Sequence, residues 1–198
     1  MNGPKLRRDN KLIDAIEDYA SVEFGGPVWR VVRKGRDPTQ CSSSGGRWDD
    51  GTFDVLYTAA EKDGALAEMY FHLKRGQPIF PSQVRYRLHE LIVSLKRALK
   101  LVDLEALSSL GVDTSRYGQL MYQERETEYP RCQDVAEVAH FLEFDGLIVP
   151  SARWDCKNIM LFCDQLEQGS VEATTDQEPV DWVQWEQTSA ITLNLKRP

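Results

Sequence analysis

At 198 residues, with 41% hydrophobic and 28% charged, the chain has the make-up of one globular domain, or one domain with an embellishment, and is too apolar for disorder. A formal net charge of -7 argues against DNA or RNA as a direct partner, since nucleic-acid binders carry a basic face, so an anionic small molecule must be met by locally focused arginines. No apolar stretch approaches the roughly 20 residues of a membrane span, and no apolar run follows the basic N-terminus as in a secretory signal, so a cytoplasmic protein without a membrane partner is expected.

Residues 9–21 carry Leu12, Ile13, Ile16 and Tyr19 at helical spacing, with Asp9 or Asn10 as the cap and Gly25-Gly26-Pro27 as the stop. Val28–Arg33 reads as a strand. Lys34–Gly51, rich in Gly, Ser, Pro and Asp, is a long loop, and loops of that length in a compact domain are functional or disordered. Phe53–Thr58 is a short strand, and a helix runs from Glu61 to near Arg75-Gly76. Gln77–Pro81 is a turn-rich connector. Val84–Leu95 begins with strand alternation whose phase blurs toward Lys100.

Asp103 caps a short helix within Leu101–Gly111. Asp113–Arg131 resists assignment, and Gln133–Glu143 is helical. Leu147–Val149 and Asn158–Phe162 are short buried strands. Ser170–Pro179 reads as a polar linker and Val180–Leu195 as a late-packing strand. Strands and helices mix without regular alternation, so the fold class is α+β.

Cys41, Cys132, Cys156 and Cys163 have no paired CxxC spacing and only three histidines accompany them, so free or buried thiols are expected, with neither a disulfide framework nor a metal site. Ser42–Arg47 lacks the spacing of a dinucleotide fingerprint or a phosphate-binding P-loop. Alone it is a surface turn, but a guanidinium on a glycine loop can approach a phosphate bidentately. Arg30 is either a solvated strand residue or a second phosphate ligand. Tyr57 is either core with its hydroxyl at the rim or a platform for a ribose or nicotinamide ring. Glu68 lies beside an apolar helical stripe, where a carboxylate is costly unless paired or used. Ser151 has no hydrolase motif around it, and His72, His89 and His140 stand apart from one another.

In order, Trp29-Arg30, Gly46-Arg47-Trp48-Asp49, Leu56-Tyr57-Thr58-Ala59, Ala65-Leu66-Ala67-Glu68 and Leu147–Ala152 resemble the RES domain family, over roughly residues 27–163. The resemblance implies an ADP-ribosyltransferase-like fold, with mixed β-sheets around an NAD cleft flanked by helices. It divides the chain into an N-terminal helical extension (1–26), the NAD-processing domain (27–165) and a tail packed on it (166–198). It implies a toxin that destroys NAD as substrate by hydrolysis or phosphorolysis, held in check by a cognate helix-turn-helix antitoxin protein. The family's residues fall on Arg47, Tyr57, Glu68 and Ser151, with Arg30 matching an earlier strand arginine. Glu68, Arg47 and Tyr57 are then catalytic, and Arg30, Arg47, Tyr57 and Ser151 hold NAD. ADP-ribosylation of a protein, or NAD binding without turnover, are the alternatives, and homo-oligomer formation is left open. Asp49 departs from the family's usual Asn, and its charge would weaken phosphate binding if it faced the cleft.

Overall fold

In the computed structural model, which describes residues 8–74, 84–119 and 125–195, two long strands carry the architecture. β1 (Val22–Arg33) and β3 (Tyr86–Lys100) pair antiparallel over nearly their full length, from Val22 opposite Ala98 to Arg33 opposite Tyr86. Three shorter strands connect them: β2 (Val55–Ala59), β4 (Gly146–Pro150) and β5 (Lys157–Phe162). β2 pairs antiparallel with β5, β5 antiparallel with β4, and β4 parallel with the end of β3. β2 also meets β1 where Trp29 faces Ala59, so the ladder returns to its start. A sixth strand, β6 (Val171–Pro179), lies antiparallel along β3.

The apolar runs of β2, β4 and β5 are continuous because these strands are buried on both faces. Leu56, Ile148 and Leu161 join Val28, Leu91, Val93 and Leu95 on one side. Their sequence neighbours Val55, Leu147 and Met160 face the other way. They pack with Trp48 and with residues of helices α1 (Asn10–Glu17), α3 (Leu104–Ser109) and α4 (Arg125–Phe141). A third cluster sets Val31, Ala59 and Leu88 against Leu66 of α2 (Lys62–Leu73) and against Trp182 and Trp185 of α5 (Trp182–Leu195). The mixed α+β class is the one expected.

Both predicted caps are present. Asp9 accepts the Lys11 N–H at 3.0 Å and Asp103 the Ala106 N–H at 2.9 Å. The blurred phase of β3 also has a cause: its register against β6 shifts between His89 and Leu91. Farther on, Lys96 and Arg97 are both exposed, and their N–H groups both go to one oxygen of Asp145.

Several expectations are corrected. Gly25-Gly26-Pro27 does not stop a helix but lies inside β1, opposite Ser94, Val93 and Ile92. One edge of β1 is nearly unpaired, where Gly and Pro disrupt little. α4 starts at Arg125, well before Gln133, and carries Pro130 inside it. Pro130 lies in the second turn, where its missing N–H costs one helical hydrogen bond, and in sequence it reads as a breaker. Ser170–Pro179 is largely strand β6 rather than a linker, since an edge strand with exposed side chains can be polar. Val180–Leu195 is helix, not strand: Asp181 Oδ1 accepts the N–H groups of Val183 and Gln184, each at 3.0 Å. The connector at 77–81 lies outside the described residues.

Cys41 and Cys163 form a disulfide, contrary to the expected free thiols. Local pairing brings them together: Ser42 bridges to Val55, and Val55 faces Phe162, so the two cysteines flank adjacent ladder positions. The link joins the middle of the long loop to the residue that follows β5. Cys132 and Cys156 remain free. Thiol titration of the denatured, unreduced protein is therefore expected to give two reactive thiols, rising to four after reduction. Four without reductant would remove the disulfide from the fold.

Among the described residues no helix is long and apolar enough to cross a membrane.

Candidate active site

The long loop is pinned rather than loose, and Asp49 is the peg. Its carboxylate is fully buried. Oδ1 accepts the N–H groups of Gly45 and Gly51 at 2.8 and 3.1 Å, and Oδ2 that of Gly46 at 2.8 Å. Tyr57 completes the set, donating its hydroxyl to Oδ2 at 3.1 Å while accepting the Trp48 N–H at 3.0 Å. Burial, reinforced by the Asp49 charge, raises the Tyr57 pKa well above the ordinary phenol value, so the hydroxyl stays protonated. Asp49 thus points into the loop, not into the cleft, and the feared repulsion of phosphate is absent. From α4, Gln133 Nε2 donates to the carbonyls of Gly46 and Asp49 at 2.8 and 3.1 Å.

Gly46 is where this loop cannot carry a side chain. A Cβ there would lie 2.5 Å from the Tyr57 hydroxyl and 3.0 Å from Asp49 Oδ2. Gly46→Ala is expected to destabilise the fold by about 1–3 kcal/mol through overpacking, read from urea unfolding midpoints. A midpoint equal to wild type would mean that the loop is not held as described.

Arg47 lies on the same loop and is 9% exposed. It does not wait for a phosphate. Its Nη2 donates to Glu128 Oε2 at 2.9 Å, and Nη1 lies 2.6 Å from Glu128 Oε1. The rings of Tyr117 and Tyr129 sit 4.7 and 5.1 Å from the guanidinium carbon. Burial opposes the charge, but the Glu128 carboxylate overrides it, so the pKa is raised. Arg47 was expected to hold a phosphate; in the structure its guanidinium lines the cavity and is paired with a buried carboxylate.

Glu68 projects from α2 toward β5. Its Oε1 accepts two bonds, from Ser151 Oγ at 2.9 Å and from Asn158 Nδ2 at 2.8 Å. No described protein group donates to Oε2. Ser151 also accepts the backbone N–H groups of Arg153 and Trp154 at 3.2 and 3.3 Å. The serine therefore stands behind Glu68 and ties it to the turn after β4. Ser151 was expected to contact NAD; its neighbours Ala152 and Arg153 line the cavity, and the serine hydroxyl is engaged with Glu68.

Arg30, Arg47, Tyr57 and Glu68 line one cavity of about 720 Å³, within the range of small-molecule sites. Arg30 holds the loop by donating Nη1 to the carbonyls of Pro38 and Gln40, both at 2.8 Å. Burial lowers its pKa to about 10, which leaves it cationic at neutral pH. Two buried polar atoms on the wall, Trp29 Nε1 and Asn158 Oδ1, have no hydrogen-bond partner. Such atoms are rare in a folded protein unless something else binds them.

Glu128, Asn158, Gln133 and Arg153 were not among the candidate site residues read from the sequence. Asn158 was within reach of it: an amide inside an apolar strand is an exception that asks for a partner. Glu128 lay in the polar stretch before Pro130 and carried no local signal. Among the described residues, no group of three or more His, Cys, Asp or Glu side chains could hold a metal.

Residues 27–183 match the family model described as the RES domain. The chain is 24% identical over 151 residues to the NAD(+) phosphorylase MbcT of Mycobacterium tuberculosis (strain ATCC 25618 / H37Rv), covering 73% of this chain and 77% of that protein. The protein of the same name from Mycobacterium bovis aligns with the same figures. Among solved structures, a chain of the M. tuberculosis MbcT–MbcA toxin–antitoxin complex superposes with a TM-score of 0.76 at 19% identity, over 92% of this chain and 98% of that one.

Proposed function

The chain belongs to the RES domain family, and from that membership and the chemistry of its cavity we propose that it depletes NAD by cleaving the nicotinamide–ribose bond. The observation that carries this reading is Glu68: one carboxylate oxygen is fixed by Ser151 and Asn158, and the other has no described protein donor, in a cavity that also holds arginines. Nicotinamide leaves from a pyridinium, and positive charge grows on the ribose as it departs. A fixed anion beside that ribose stabilises the charge only as it forms, which lowers the barrier.

Arg30 meets the pyrophosphate through Nε and Nη2, the nitrogens not used on the loop. Arg47 acts as a pair with Glu128, shaping the wall beside the phosphates rather than supplying a whole charge. Tyr57 sets the glycine loop and offers its ring to the nicotinamide side. Asn158 turns its amide nitrogen to Glu68, so its carbonyl can accept from the nicotinamide carboxamide. Trp29 offers its N–H to a ligand oxygen. Ser151 positions Glu68.

The MbcT relatives are named as phosphorylases, which favours phosphate over water as acceptor here. The solved MbcT–MbcA complex supports a cognate antitoxin partner for this chain, with the helix-turn-helix type as the finer reading. NAD supply places the reaction in the cytoplasm. Incubating the purified chain with NAD, with and without inorganic phosphate, tests the proposal. Nicotinamide should be released together with ADP-ribose or its phosphate ester. Intact NAD would leave a binding module, and ADP-ribose attached to protein would make the chain a transferase.

A further inference from the structure

The geometry points to Arg153 as the seat of an inorganic phosphate that attacks the ribose in place of water, an inference that rests on the cleavage reading above. Of the five arginines that line the cavity, Arg33 and Arg36 are exposed to solvent, and the other three, Arg30, Arg47 and Arg153, differ in what they already hold. Arg47 is neutralised by Glu128. Arg30 braces the loop from the β1 side. Arg153 donates Nη1 to the Gly118 carbonyl, and its guanidinium carbon sits over the Phe71 ring, 3.3 Å from the centroid. Among the described residues, no carboxylate is hydrogen-bonded to it. Burial lowers its pKa and the field of Glu68 only partly compensates. A half-buried cation in that condition gains most from a small, strongly accepting anion.

Its place fits an acceptor better than the dinucleotide's own phosphates. The Arg153 backbone N–H goes to Ser151 Oγ, which itself donates to Glu68. These bonds tie the Glu68 carboxylate, the serine and the Arg153 backbone together, and Gly118 and Phe71 hold the guanidinium itself. Gly118 secures the far side: its φ is +75°, and a Cβ there would collide with the Ala152 carbonyl. The Arg153 guanidinium lines the same cavity as Glu68 and feels its charge, so an anion on Arg153 lies on the Glu68 side of the cavity, where the reacting carbon must be, and an attacking oxygen has to come within about 3.5 Å of that carbon.

In the step, an oxygen of hydrogen phosphate bonds to C1′ of the nicotinamide-bearing ribose as the C1′–N bond breaks. The bonding pair stays on nitrogen and turns the pyridinium into neutral nicotinamide. Dianion plus cation gives a monoanionic phosphate ester, so no proton need move. Water would have to lose a proton during attack.

The test compares full-length wild type, Arg153→Gln and Arg153→Lys with NAD while inorganic phosphate is titrated, and quantifies nicotinamide, ADP-ribose and its phosphate ester. Wild type should give mainly the ester, with saturation in phosphate. Arg153→Gln should raise the KM for phosphate about tenfold or more, as expected for the loss of a charge-assisted contact, with Arg153→Lys in between. The KM for NAD should move by less than about twofold. An unchanged phosphate KM, or an equal rise in the NAD KM, overturns the assignment. Sulfate gives a readout independent of how the variants fold: on wild type it should compete with phosphate and not with NAD, and competition with NAD overturns the proposal. Nicotinamide release that ignores phosphate removes this inference alone, whereas no release removes the cleavage reading as well.

Discussion

Glu68→Gln is expected to slow nicotinamide release by about 10²- to 10³-fold, the range seen when one electrostatic stabiliser of a transition state is lost. The substitution is nearly isosteric. Glutamine Oε1 can still accept from Ser151 Oγ and Asn158 Nδ2, the two donors that hold the native carboxylate at 2.9 and 2.8 Å. What changes is the other side, where a neutral amide replaces the oxygen that would face the ribose. The KM for NAD should shift by less than about threefold, because the lost interaction is made mainly in the transition state. Ser151→Ala and Asn158→Ala should each cost less than Glu68→Gln, since each removes one of two supports and leaves the charge, Asn158→Ala also losing its proposed contact with the carboxamide. Their double variant should fall short of the product of the singles if both act through Glu68 alone. Turnover of Glu68→Gln at the wild-type rate would end the proposed role.

The pattern of which residues could be read from sequence follows from where their partners lie. Asp9 and Asp103 cap helices through N–H groups two and three residues away, so their roles are local and visible. β4 and β5 were visible because apolar runs bounded by turns have few other uses. β6 was not, since its pairing with β3 uses backbone while its side chains stay mostly exposed and polar. α5 carried its own signal in the Asp181 cap, which the reading of Val180–Leu195 as a strand passed over.

The site divides in the same way. Arg30, Arg47, Tyr57 and Glu68 were singled out by order and spacing, and they line one cavity. The partners Glu128 and Asn158 were not visible because they are distant: Glu128 is 81 positions from Arg47, and Asn158 is 90 from Glu68. Proximity of that kind is a product of the fold, and one sequence has no register for it. The disulfide was missed for the same reason, its cysteines being 122 positions apart. Asp49 is the instructive case. A carboxylate next to a phosphate-seeking arginine looks unfavourable in a linear reading. In three dimensions it turns away and collects three backbone N–H groups and a hydroxyl.

Glu128→Gln is expected to cost about 3–5 kcal/mol of stability, because it leaves the Arg47 cation buried without its counter-charge. For a domain of this size that corresponds to a fall in Tm of roughly 6–20 °C. The partners are well placed for such a loss: both side chains are under 10% exposed, the two nitrogen–oxygen contacts are 2.6 and 2.9 Å, and Glu128 also accepts the Gly118 N–H at 3.2 Å. Arg47→Met should cost less, since an unpaired buried carboxyl can take up a proton whereas a guanidinium cannot shed one. Arg47→Met with Glu128→Leu should recover much of the difference, as apolar replacement of a buried pair often does. The same variant tests the site. With Glu128 neutral, Arg47 regains a full charge beside the proposed phosphates, so ADP-ribose should raise the Tm of Glu128→Gln by more than it raises that of wild type. Equal ligand shifts would place Arg47 outside the binding surface and leave its pair with Glu128 purely structural. A Glu128→Gln protein as stable as wild type would mean that solvent already reaches the guanidinium.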